Sequence, residues 1–308
     1  MQISTAIVGL GKIGLTYDLD EFGVAKPNQV MTHCRSVSES NFFKISYLID
    51  PQIESLKIAV HKYGGVGFHT SLEAGAQDSP QLLILSVPTS FHLETLLDIT
   101  EKWKPAAYLI EKPFGRSSRE ARQMRDILKL QDAKVYVNYF RRYLPNFVLL
   151  KSSSKFRNRG RLNSVTVNGY GTLENVFSHF LDLLIFLESP SILGLSKKLN
   201  CSSGIEYLKF EDAASGVLFE LNGVGRGIRE CEMRLVYDSM VIEMTSNGCC
   251  LKIHDAKDGS IELFNLSTSM FGSYQAFVLK RIEDEFFLSQ KNSSMEDAIH
   301  IHEFLESI

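Results

Sequence analysis

Two sets of residues in this chain could do chemistry. The first is the run Gly9-Leu10-Gly11-Lys12-Ile13-Gly14, directly after the apolar stretch Ile3 to Val8. A buried strand followed by G-x-G-x-x-G is how a Rossmann unit turns backbone N–H groups toward a dinucleotide pyrophosphate. Gly9 allows the tight turn, Gly11 lets the backbone approach the phosphates, and Gly14 permits close packing. Lys12 and Ile13 lie inside the same turn. The second set is titratable: Asp50, Lys112 and His179. Asp50 ends the apolar run Lys44 to Ile49, where a carboxylate can accept hydrogen bonds from ribose hydroxyls. It would repel a 2′-phosphate, and no Arg directly follows it, so NAD is expected over NADP. A lysine ammonium at Lys112 can hold a substrate hydroxyl or polarise a carbonyl. His179 can take a proton near neutral pH. Taken singly, a lysine also fits a solvated surface charge, and a buried histidine fits a hydrogen-bonded core position.

These residues need elements to position them. The first ~140 residues alternate strand and helix signals, which favours a parallel sheet. Gln81 to Val87 is a continuous apolar strand followed by Pro88-Thr89-Ser90-Phe91-His92. Ala107 to Ile110 is a short strand ending at Glu111-Lys112-Pro113, and Arg119 to Leu130 is a helix with Ser118 as its expected N-cap. Val135 to Val137 leads into Asn138-Tyr139-Phe140-Arg141-Arg142. Ligands of such sheets bind beyond the carboxyl ends of the strands, which is where Asp50, Lys112, Tyr139, Arg141 and Arg142 fall. The planar guanidinium fork of Arg suits a phosphate or carboxylate.

The acid usually lies about 20 residues beyond the glycines, yet Asp50 lies 36 after Gly14. The stretch 15–28, with Asp18, Asp20 and Glu21, therefore reads as an insertion before a helix over Gln29 to Val37. It would form a lid or a loop packing on a partner subunit.

Beyond about residue 145, short segments at Asn163–Val167, Gly216–Leu221, Glu232–Val236, Val241–Met244 and Ile261–Phe264 favour an antiparallel sheet. A long apolar helix from Leu173 to Phe186 carries Asn175, His179 and Asp182, the first two sharing a face. Helices over Ser273–Leu288 and Met295–Ile308 close the chain. The glycine-rich Gly223–Gly227 leads into a strand and reads as a hairpin turn. The expected division is 1–140, a dinucleotide-binding domain, and 141–308, a substrate-binding and oligomerisation domain.

The 308 residues carry 44% hydrophobic and 22% charged side chains, ordinary for a globular protein, with a net charge of −3. That charge gives no reason to expect nucleic acid or an anionic membrane as partner. The opening apolar run lacks a basic flank and merges into the glycine turn, so a first strand is expected rather than a signal peptide. Five scattered cysteines without C-x-x-C or metal-ligand spacing point to reduced thiols, no metal and a cytoplasmic setting.

The order and spacing of these pieces resemble the glucose-fructose oxidoreductase, inositol dehydrogenase and MocA family over nearly the full length. The resemblance implies an α/β fold: a doubly wound Rossmann sheet plus a C-terminal α+β domain whose open antiparallel sheet often forms the subunit interface of a homodimer or homotetramer. It implies Pro88, Thr89, His92 and Glu111 beside the cofactor. It further implies Lys112 and His179 facing the nicotinamide, with Tyr139, Arg141, Arg142 and Asn175 toward substrate. The activity implied is hydride transfer between NAD and a hydroxyl or keto carbon of a sugar, nucleotide sugar or polyol. Two other functions are found on this fold: an NAD-dependent glycoside hydrolase, and a non-catalytic NAD-binding sensor. Asn175-Val176-Phe177-Ser178-His179 departs from the Asp-x-Gly-x-His of many polyol dehydrogenases in the family, whereas members resembling nucleotide-sugar dehydrogenases can carry Asn there. Asn cannot relay a proton, so Asn175 would only orient its neighbours.

Overall fold

A computed structural model describes residues 2–19, 28–75, 77–169, 176–193, 196–202, 207–212, 217–223, 230–267, 270, 272–288 and 294–307. The chain forms two compact units, Met1–Asn138 with Gly272–Ile299, and Tyr139–Phe271 with His300–Ile308.

The first unit contains β1 (Ile3–Val8), α1 (His33–Ser38), β2 (Phe43–Ile49), α2 (Ile53–Tyr63), β3 (Val66–Phe68), α3 (Ser71–Ala74), β4 (Leu82–Leu85), α4 (His92–Lys102), β5 (Ala107–Ile110), α5 (Ser118–Leu130) and β6 (Lys134–Val137). The strands form one parallel sheet in the order β3-β2-β1-β4-β5-β6. All residues of β4, β5 and β6 are buried, as continuous apolar runs between helical layers require. The strand order reverses direction between β1 and β4, the place where ligands of open α/β sheets bind. The N-cap of α5 is Ser117, whose side chain accepts from the Glu120 N–H, one residue before the expected Ser118.

The sequence splits the chain once, near residue 140. In the structure the boundary falls at Asn138/Tyr139, and 272–299 returns to the first unit. The helix Tyr274–Phe286 buries Val278, Leu279 and Ile282. Its end is held by Lys134, whose Nζ donates to the carbonyls of Glu285, Phe286 and Leu288. Tyr136 Oη donates to Glu285 at 3.0 Å. An amphipathic pattern tells that a helix has a buried face, not which sheet covers it.

The second unit contains α6 (Pro145–Ser152), α7 (Ser154–Arg157), β7 (Leu162–Gly169), α8 (Ser178–Leu187), β8 (Ser196–Ser202), β9 (Tyr207–Asp212), β10 (Leu218–Gly223), β11 (Glu232–Tyr237), β12 (Met240–Thr245), β13 (Cys250–Asp255) and β14 (Ile261–Asn265). The sheet order is β14-β13-β12-β11-β7-β10-β9-β8. Its pairings are antiparallel except β7 with β10, which run parallel, so the sheet is mixed. Met233, Leu235, Tyr237, Met240, Ile242, Met244, Leu251 and Ile253 alternate inward, the period of a sheet covered on one face. Gly223 ends β10, and the remainder of the expected hairpin turn, 224–227, lies outside the described residues.

Candidate functional site

The glycine turn explains itself residue by residue. Gly9 has φ +95°, and a Cβ there would sit 2.6 Å from the Ser86 backbone. Ser86 Oγ reaches the carbonyls of Val8 and Gly9, at 3.1 and 2.8 Å. A Cβ at Gly14 would lie 2.2 Å from the Gly9 carbonyl oxygen. Gly11 differs from both: a Cβ there meets nothing within 4 Å. Gly9 and Gly14 are therefore demanded by the chain's own packing, while Gly11 faces open space.

The Leu15 N–H bonds the Gly11 carbonyl at 2.9 Å, so a helical turn begins at Gly11. Among the described residues, the N–H groups of Gly11, Lys12, Ile13 and Gly14 have no acceptor. These are the orphan donors of a helix N-terminus, a fitting cradle for an anion. The helix then breaks off and resumes at His33: the His33 and Cys34 N–H groups bond the Ile13 and Gly14 carbonyls, each at 3.0 Å. The inserted stretch is thus spliced into the helix after its first turn, and α1 starts at His33 rather than Gln29. Asp18, buried at 4% exposure, braces the splice. Its Oδ2 accepts from the Thr32 N–H (2.8 Å), Thr32 Oγ1 (2.7 Å) and the Met31 N–H (3.1 Å). Thr32 in turn caps α1 by accepting from the Arg35 N–H. Asp18 is therefore a structural brace; Asp20 and Glu21 lie outside the described residues.

Asp50 stands one residue past β2. Its Oδ2 accepts from the Leu10 N–H at 2.6 Å and its Oδ1 from the Gln52 N–H at 2.7 Å. It ties the glycine turn to β2, and each oxygen keeps a second lone pair for a ligand hydroxyl.

At the ends of β5 and β6 a buried polar cluster surrounds Glu111. Oε1 accepts from Asn138 Nδ2 at 2.6 Å and meets His33 Nε2 at 2.8 Å; Oε2 accepts from the Lys112 N–H at 3.3 Å. Asn138 Nδ2 also donates to Gln275 Oε1 at 3.2 Å. Burial pushes the Glu111 carboxyl upward, but the His33 and Asn138 hydrogen bonds and the Lys112 charge outweigh it and leave it below the usual carboxylate range. Glu111 remains an anion whose oxygens are engaged by its own chain, and it anchors the half-buried Lys112, followed by a cis peptide bond to Pro113. His33 and Gln275 carry no motif; a signal for them would require knowing that α1 and the helix Tyr274–Phe286 meet this strand end.

His92, expected beside the cofactor, has both ring nitrogens engaged by the chain itself. It is wholly buried, with Nδ1 3.2 Å from the Phe114 carbonyl and Nε2 3.0 Å from the Val87 carbonyl. It joins the segments after β4 and β5. Burial lowers its pKa, with the two carbonyls and the Glu111 charge opposing. Pro88 is exposed and Thr89 half-buried, on the turn following β4.

In the second unit, Tyr139 through Arg142 and α8 converge. The Tyr139 and Phe140 rings meet the His179 ring at 5.5 and 5.2 Å. Tyr139 is buried, and burial with the nearby Asp182 charge pushes its phenol up. Arg142, expected toward substrate, is paired within the chain. Nε donates to Asp182 Oδ2 at 2.8 Å and an Nη to Oδ1 at 2.5 Å, in a buried fork-to-fork pair. Arg141 is 6% exposed and stacks between Phe140 and Phe180, at 4.8 and 4.6 Å. Asn175 lies outside the described residues.

Residues 3–139 match the model of an oxidoreductase family with the NAD-binding Rossmann fold, named for Gfo, Idh and MocA. The match lies in the N-terminal part of the chain and spans less than half of it. The rhizopine catabolism protein MocA of Rhizobium meliloti is 27% identical over 147 residues, 47% of this chain and 44% of that protein; the matched stretch spans less than half of either. Among solved structures, a super-repressor mutant of Gal80p from Saccharomyces cerevisiae shares the fold at TM-score 0.79 and 13% identity, over 100% of this chain and 95% of its own. The WlbA dehydrogenase of Bordetella pertussis, in complex with NADH and UDP-GlcNAcA, does so at TM-score 0.73 and 15% identity, over 100% and 94%. No helix of the described residues is long and apolar enough to cross a membrane, and among them no cluster of His, Cys, Asp or Glu could hold a metal ion.

Proposed function

We propose that this chain is an NAD-dependent oxidoreductase acting on a hydroxyl or keto carbon of a sugar, nucleotide sugar or polyol. The observation that carries this is the set of four acceptor-less N–H groups at Gly11–Gly14 beside a glycine whose Cβ direction is empty. They fit the pyrophosphate of a dinucleotide, with Asp50 directed to a ribose. The bound nicotinamide supplies the hydride acceptor or donor. Lys112 Nζ holds the reacting oxygen and stabilises the negative charge that grows on it, where such stabilisation lowers the barrier. Glu111, pinned by His33 and Asn138, fixes the backbone that carries Lys112. His179 receives the proton that the hydroxyl gives up.

The test is NADH formation followed by absorbance across matched sugars, nucleotide sugars and cyclic polyols, with Lys112→Ala beside the parent. The variant is expected to lose a factor of ~10² or more in kcat while binding NAD as before. Near-normal turnover would remove Lys112 from the reaction. A second reading is favoured by the likeness to Gal80p: a regulator that binds NAD without turning over. NAD binding with no NADH from any substrate, in the parent, would select it.

A further inference from the structure

The two adjacent arginines of the turn Phe140–Tyr143 are treated differently by the fold. Arg142 has a buried counter-carboxylate in Asp182, bound through both oxygens. Arg141 feels the Asp182 charge only at longer range: among the described residues it makes no hydrogen bond and no ion pair. Its Nε is sealed from solvent without an acceptor. Two phenylalanine faces, Phe140 and Phe180, flank the guanidinium. Such stacking returns less than burying a cation without hydrogen-bond acceptors costs. Burial pulls its pKa down to about 10, which leaves it fully charged at neutral pH. A buried, charged, acceptor-less fork is a group prepared for an anion that arrives from outside.

We propose that Arg141 is a carboxylate subsite, and that the substrate is a sugar acid rather than a neutral sugar. The slot selects the anion. Its walls are two aromatic rings and its charge is a single guanidinium, so a planar monoanion matches it in shape and charge. A phosphate dianion would want more donors than one fork offers. Phe140 also packs edge-on against His179. Phe140 therefore touches both the proposed anion anchor and the proposed proton acceptor, and an acid anchored at Arg141 would be held in the cluster that contains His179. The inference rests on the oxidoreductase reading for its word substrate, but the subsite itself is a binding property.

The experiment is calorimetric binding, with NAD present, of matched pairs: glucuronate and glucose, galacturonate and galactose, gluconate and glucitol, with glucose 6-phosphate as the phosphate arm. The parent is expected to bind at least one acid about 10- to 100-fold more tightly than its neutral partner, the worth of a charge-assisted bidentate contact. Arg141→Met, which keeps the apolar stem between the rings, should erase that preference while NAD affinity holds and Tm stays level or rises, since a buried cation is removed. Arg141→Lys, which keeps charge but not the fork, should fall between. Equal binding within every pair, or a preference that survives Arg141→Met, overturns the subsite. Tighter Arg141-dependent binding of glucose 6-phosphate than of any acid overturns its assignment to carboxylate. Arg141-dependent acid binding without NADH formation would keep the subsite and remove the reaction. NADH formation from neutral sugars, untouched in Arg141→Met, would do the reverse.

Discussion

Replacing Gly11 by Ala separates the fold of the glycine turn from its proposed task. The added methyl meets nothing within 4 Å, and Gly11 has no positive φ to lose. The folded chain therefore bears no steric cost, and the smaller entropy of the unfolded Ala chain stabilises by about 0.4–1 kcal/mol. The empty direction is where the proposed pyrophosphate must come within hydrogen-bond distance of the turn's N–H groups, about 2.9 Å. A methyl in a well-packed contact costs about 1–3 kcal/mol, which is roughly a 5- to 150-fold weaker Kd for NAD. Gly14→Ala makes the contrast, because its methyl would overlap the Gly9 carbonyl oxygen at 2.2 Å and so lowers Tm and NAD affinity together. The assay is thermal unfolding without ligand beside calorimetric titration with NAD. A Gly11→Ala protein that keeps its Tm and binds NAD within about twofold of the parent would refute the cradle.

Asp182→Ala should cost about 3–5 kcal/mol in urea unfolding, because it leaves the buried Arg142 cation unpaired, and Arg142→Met combined with Asp182→Leu should recover much of that loss. Were Arg142→Met alone to leave stability intact and change only KM, Arg142 would be a ligand contact after all. His92 predicts a pH effect of definite sign. Its folded pKa is depressed by burial, so its contribution to stability is present above the unfolded value of about 6.5 and is lost as pH falls through the folded one. The parent should lose stability below about pH 6.5 more steeply than His92→Gln, and parallel profiles in a pH series of urea midpoints would contradict the burial argument.

Sequence alone determined what depends on near neighbours. The turn after β1 needs a residue at φ +95° against the Ser86 backbone and another with no side chain against the Gly9 carbonyl; only glycine satisfies either, so the spacing of the run was legible before any fold. Unbroken apolar runs marked β4 and β5 as strands buried on both faces, and that placed Lys112 at a strand end. The strands Ser196–Ser202, Tyr207–Asp212 and Cys250–Asp255 escaped, because the first is mostly polar and the alternation of the other two runs over only a few residues. The tertiary structure decided which side chains meet. His33 reaches Glu111 across 78 positions, and Gln275 reaches Asn138 across 137, because α1 and the helix Tyr274–Phe286 end beside β5 and β6. Histidines 92 and 179 look alike as letters, yet two carbonyls occupy one and aromatic rings frame the other. Arg141 and Arg142 are adjacent in the chain and differ in fate because a turn points one fork at Asp182 and the other between two rings. A motif fixes local backbone through sterics, whereas a partner depends on where distant segments come to rest.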